Sequence, residues 1–152
     1  MVSTLTTVYI SEGTLASIRQ QINIAANPRV VWNAIATAEG WTSWYADEAR
    51  LDGRKGGRIE LIGEDDEGEP LSEFGVVLTY RPTSRLEICW DTTSPAPTKG
   101  TSLSFNVARD GEETRLSLVH SGGRVLEDEE ARNEIEKTWR RAFKSLRSAL
   151  ED

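Results

Sequence analysis

The end of this chain limits its folding options most. Between residues 127 and 150, Ala131, Ile135, Thr138/Trp139, Ala142/Phe143, Leu146 and Ala149/Leu150 recur every three or four positions, which predicts one long amphipathic helix. Glu127, Asp128, Glu129 and Glu130 open it, and Arg140, Arg141, Lys144 and Arg147 follow toward its end, an order that complements the helix dipole. A helix with a single apolar stripe has to bury that stripe against another element. The rest of the chain must therefore supply a covering surface.

That surface reads as a sheet. Arg58 to Ile62 alternates with Ile59 and Leu61 inward, and Phe74, Val76 and Leu78 form the expected inner face of the next strand. Leu86, Ile88 and Trp90 repeat the pattern after the Arg81-Pro82-Thr83 turn. Leu103, Phe105 and Val107 then pair across Asp110-Gly111 with Leu116, Leu118 and His120, a good hairpin signal. The acidic stretch from Gly63 to Pro70 is a turn by composition, and Asp91 to Gly100, carrying Pro95 and Pro97, is a longer loop. Gly56-Gly57 reads as a bend that lets the sheet curve.

Ahead of these strands, Leu15 to Ala25 alternates, with Ile18, Gln20, Ile22 and Ile24 on one face. Asn27-Pro28 stops that strand and starts a helix, because proline has no amide proton and suits a first turn. Val31, Trp32, Ile35 and Ala36 give its spacing and Gly40 is expected to close it. A second short helix or turn follows through Trp41, Trp44 and Tyr45. The order is a strand, two short helices, about six strands and one long helix. This is an α+β architecture in which a curved antiparallel sheet wraps around the C-terminal helix. At 152 residues the chain suits a single core, placed at 15–152, with 1–14 as an N-terminal arm or edge strand.

Charge and cysteine usage narrow the function classes. A net charge of −7 argues against a nucleic-acid partner, since phosphate binding needs clustered Lys and Arg. A lone cysteine, Cys89, excludes an internal disulfide and fits a reducing cytoplasm. Neither a membrane span nor a signal peptide is expected.

Several short pieces carry a family resemblance. Val31-Trp32-Asn33-Ala34-Ile35 runs into Glu39-Gly40-Trp41-Thr42-Ser43-Trp44, followed by Gly56-Gly57-Arg58 and by Tyr80-Arg81-Pro82 leading to Arg85-Leu86 and Trp90. Thr114-Arg115-Leu116 leading to His120-Ser121-Gly122, then Trp139 with Leu146, complete the set over residues 15–150. In this order they resemble the family related to the activator of heat-shock protein 90 ATPase, within the START-like (SRPBCC) superfamily. The resemblance implies the helix-grip fold and a deep, mostly apolar cavity between the sheet and the last helix. It also implies binding of lipids, sterols, polyketides or other apolar molecules, with a minority of members acting as cyclases or hydrolases.

The residues expected to line such a cavity are Trp41, Trp44, Leu61, Phe74, Val76, Leu78, Ile88, Trp90, Phe105, Leu118, Trp139 and Phe143. Inward aromatics also serve as plain core, and that reading stands beside the first. Two polar residues fall on inward positions. Gln20 needs a partner, water or ligand there, and His120, the sole histidine, could orient a ligand or act as a general acid/base.

Other chemistry is thin. No serine sits in a nucleophile-elbow setting, and one histidine with one cysteine does not make a zinc site. The loop from Glu64 to Glu69 lacks calcium-ligand spacing, and no phosphate loop follows Gly56-Gly57. No metal or cofactor is expected. Three functions follow: a module binding an apolar small molecule, with Arg54, Lys55 and Arg58 available to an acidic head group; a cyclase or hydrolase using His120 with Asp47 or Glu48; and a protein-interaction module such as a chaperone accessory.

Overall fold

Local signals account for most of the elements. A computed structural model describes residues 17–151, so the expected arm at 1–14 lies outside the described residues. Strand β1 (Ile18–Ile24) ends before Asn27, whose side-chain carbonyl accepts from the Val30 amide at 3.0 Å. With Pro28 at its first position, this cap starts α1 (Pro28–Ala36). Thr37 then ends α1 and caps α2 (Ala38–Thr42), its hydroxyl accepting from the Gly40 amide at 2.9 Å.

The helix therefore stops at Ala36, four positions before the glycine expected to stop it. Gly40 is required for another reason: a Cβ there would lie 2.1 Å from the Asn33 carbonyl oxygen. Only a residue without a side chain lets α2 fold back onto α1 at that distance.

Six strands follow: β2 (Glu48–Leu51), β3 (Arg58–Glu64), β4 (Pro70–Arg81), β5 (Arg85–Trp90), β6 (Ser102–Asp110) and β7 (Glu113–Ser121). A turn of 3₁₀ helix (Val125–Glu127) leads into α3 (Glu129–Glu151). Asp128 caps α3, its carboxylate accepting from the Ala131 amide at 2.8 Å. The strands form one antiparallel sheet in the order β1-β7-β6-β5-β4-β3-β2. This is the helix-grip architecture, the sheet curling around α3.

The core lies between the sheet and the C-terminal half of α3. Trp139, Ala142, Phe143 and Leu146 are buried there, against the inward residues Leu86, Ile88, Phe105, Leu116 and Leu118. From Glu129 to Thr138, α3 contributes no fully buried side chain. That half of the helix meets the core through Ile135 and β1 through the Gln20–Glu136 bond, and otherwise borders a cleft.

The register of β4 corrects one expectation. Glu73, Gly75 and Val77 oppose Leu61, Ile59 and Ile88 in the ladder, and these partners are buried inward. Phe74 and Val76 consequently face the outer side of the sheet, opposite Glu60 and Arg58. The register shifts between Val77 and Thr79, which leaves Leu78 unpaired and 46% exposed. The other inward sets hold: Ile18, Gln20, Ile22 and Ile24 lie opposite His120, Leu118, Leu116 and Thr114. Strand β2, which carries no clear alternation, pairs with β3 at the sheet edge.

Candidate ligand cleft

The deep space between sheet and helix is occupied by rings. Trp41 stacks on Trp44 at 5.0 Å between centroids, and Trp41 meets Phe105 edge-on at 5.8 Å. Trp139 contacts Phe105, Phe143 and His120 at 6.1, 6.2 and 6.0 Å. The expected hollow chamber is therefore plugged in its interior.

Each of the three inner indoles also spends its N–H on the protein. Trp41 donates to the Ile35 carbonyl at 2.7 Å and Trp44 to the Ala34 carbonyl at 2.9 Å. Both acceptors belong to the last turn of α1, where helical carbonyls lack intrahelical donors. These two rings thus close the end of α1 while fixing the connection that carries them.

Trp139 donates to His120 Nδ1 at 3.0 Å, which makes Nδ1 the acceptor and places the ring proton on Nε2. Nε2–H then donates to Thr101 Oγ1 at 2.7 Å, and the Thr101 hydroxyl donates to the Thr98 carbonyl at 2.6 Å. His120 has no solvent exposure, and burial depresses its pKa to about 4. Both ring nitrogens are engaged, so His120 acts as a buried strut. Neither Asp47 nor Glu48, exposed at the start of β2, shares a hydrogen bond with it. Gln20 likewise finds a protein partner, donating from Nε2 to the Glu136 carbonyl of α3 at 2.8 Å.

Open space remains at the mouth. A half-open cleft of about 810 Å³ runs between the N-terminal half of α3, the β3–β4 hairpin and the loop preceding β6. Trp44, Tyr45 and Trp139 form its aromatic wall, with Tyr45 stacked on Trp139 at 5.3 Å and 17° between planes. Leu61, Leu71, Ala96, Ile135 and Ala142 add apolar surface. Of the expected lining residues, Trp44, Leu61 and Trp139 reach this cleft. Trp41, Ile88, Trp90, Phe105, Leu118 and Phe143 are core beneath or beside it. Phe74, Val76 and Leu78 lie on the far side of the sheet, and Arg54, Lys55 and Arg58 sit at the opposite end of β3.

The cleft holds a carboxyl group that the strand pattern did not reveal. Glu73, inward on β4, accepts a hydrogen bond from the Tyr45 hydroxyl at 3.0 Å on Oε1 and one from the Thr98 hydroxyl on Oε2. Burial raises its pKa above the ordinary carboxylate value, while the bonds from Thr98 and Tyr45 pull it down. The Tyr45 phenol is pushed well above its ordinary range, chiefly by burial and then by the charge of Glu73. The available signal was Gly75 opposite Trp90, a small residue facing a large one, which marks the Leu71-Glu73-Gly75-Val77 face as the crowded one.

Residues 25–151 match the family described as Activator of Hsp90 ATPase homolog 1-like protein. The fold is similar to that of the Aha1 dimer from Colwellia psychrerythraea, at 22% identity and TM-score 0.73 over 89% of this chain and 96% of that one. A protein from Nitrosomonas europaea gives 17% identity and TM-score 0.74 over 88% and 93%. CalU16 from Micromonospora echinospora gives 23% and 0.70 over 88% and 75%. No curated protein matches the chain. Among the described residues, no helix is long and apolar enough to cross a membrane.

Proposed function

This chain belongs to the Activator of Hsp90 ATPase homolog 1-like family, whose fold commonly binds hydrophobic ligands, and from that premise we propose that its cleft binds a small, mostly apolar molecule. One observation carries the reading: a ligand-sized opening of about 810 Å³ meets an aromatic wall of Trp44, Tyr45 and Trp139, with the carboxyl group of Glu73 held by Tyr45 on that wall. Small-molecule sites join apolar and aromatic walls with placed polar groups. The binding site is the mouth of the chamber, not its ring-filled interior.

The sealed state of His120 supports binding over catalysis, because a general acid/base has to reach the proton it moves. A reducing cytoplasm suits the free thiol of Cys89 and belongs to the same reading.

The test uses the tryptophans of the wall as reporters. Titration with a panel of fatty acids, sterols and aromatic compounds should shift the emission of the native protein for at least one class. Thr138, exposed on α3 at the cleft, can be replaced without touching the core. T138W should fill the opening and abolish that shift while thermal unfolding stays unchanged. Undiminished binding by T138W would place the ligand elsewhere.

A further inference from the structure

Glu73 lies on the wall of the cleft without a cationic partner. The ion pairs of the described residues all involve other carboxylates, from Arg50–Glu60 and Arg54–Asp52 to Arg147–Glu151. Glu73, half-buried on the cleft wall, has only the hydroxyls of Tyr45 and Thr98 and no cation. A partly desolvated carboxylate gains from a nearby counter-charge. Each carboxylate oxygen offers two acceptor positions, so one on each stays available after these two bonds.

The surroundings agree in sign. Glu64, Asp66, Glu130 and Glu134 line the same cleft, against Arg141 as its one base, which rests near the Thr138 hydroxyl at 3.5 Å. A concave site rimmed by one sign of charge raises the local concentration of the opposite sign. Among the described residues no three metal-ligating side chains cluster, and the partners of Glu73 are a phenol and an alcohol. The missing charge therefore suits an organic cation better than a metal ion.

We propose that the cleft selects an apolar ligand bearing a protonated amine, which donates to Glu73 while its apolar body lies along Tyr45 and Trp139. This specificity rests on the reading of the cleft as a small-molecule site. The amine replaces the counter-charge that the chain itself withholds, and the acidic rim repels the corresponding carboxylic acids.

Calorimetric titration with three probes of one shape tests it: 2-naphthylmethylamine, 2-naphthylmethanol and 2-naphthoate. The amine should bind the wild type at least about tenfold tighter than the alcohol, the margin expected of a charge-assisted over a neutral hydrogen bond, and the carboxylate should bind least. E73Q should bring amine and alcohol to within about twofold of one another. Alcohol binding that equals or exceeds amine binding in the wild type overturns the cation preference and leaves the cleft as an apolar site. An amine preference that persists in E73Q overturns the assignment to Glu73. Failure of all three probes to bind overturns both the cation preference and the reading beneath it. The wild-type series decides the sign of the preference whether or not E73Q folds.

Discussion

The His120 strut makes a prediction that a single titration curve can refute. Its imidazole titrates near 6.5 when solvated and at about 4 in the folded chain, because burial disfavours the charged form. Between those values the unfolded chain binds a proton that the native chain does not, so stability rises with pH across the window. The contribution is complete above about pH 6.5 and is lost progressively as pH falls to about 4. At 1.36 kcal/mol per pH unit the loss comes to about 3 kcal/mol. H120Q keeps an amide able to accept from Trp139 and donate to Thr101, and has nothing to titrate. Urea unfolding of both proteins, followed by tryptophan emission in steps from about pH 7 to about pH 4, should give stability curves that converge on acidification by that amount. Acids shared by both proteins cancel in the difference. These include Glu73, whose raised pKa favours folding at low pH, and Glu87, whose lowered pKa does the opposite. Since the chain has one histidine, its ring resonances in the native protein give a second readout. Parallel curves, or a native ring titrating near 6.5, would refute the strut and reopen acid–base chemistry at His120.

Two other substitutions probe what holds the wall of the cleft. W139F leaves His120 Nδ1 buried without a donor and should cost about 1–3 kcal/mol in chemical denaturation for that atom alone, with lost ring packing added. G40A forces a methyl group to within 2.1 Å of the Asn33 carbonyl oxygen. Prying α2 from α1 should lower stability by about 1–3 kcal/mol in the same assay, and the indole bonds of Trp41 and Trp44 should loosen, seen as faster hydrogen exchange of their ring N–H groups.

Where a periodic pattern had time to repeat, it was readable. The last helix shows its spacing through Trp139, Ala142, Phe143 and Leu146, and β7 alternates cleanly from Leu116 to His120. The difficulty in β4 has a physical cause. Phe74, Val76 and Leu78 form the more apolar of its two faces, yet the face turned to the core is Glu73, Gly75 and Val77, of which Gly75 and Val77 are buried. Opposite Trp90 there is no room for a Cβ, which at Gly75 would lie 2.1 Å from the Cys89 carbonyl oxygen. A bulge at Leu78 then ends the alternation that suggested the other frame. β2 is an edge strand of four residues with no residue fully buried, too short and too wet to announce itself. The site was harder still, because Tyr45 and Thr98 stand 28 and 25 positions from Glu73 and only the curled sheet brings their hydroxyls to its carboxyl group.

The same geometry explains why the interior is filled and the mouth is not. Trp41 and Trp44 are fixed at the α1 carbonyls and Trp139 at His120, so none can rotate away to admit a guest without stranding a buried polar group. A ligand that had to displace them would leave a buried polar group unpaired at each such bond, at about 1–3 kcal/mol apiece. A ligand that lies against the outer edge of Trp44, Tyr45 and Trp139 displaces nothing and meets a wall already rigid. The polar group it finds there, Glu73, is half-buried and bonded to hydroxyls alone. The rings thus act as the foundation of the cleft, and its selectivity comes from the residues they hold in place.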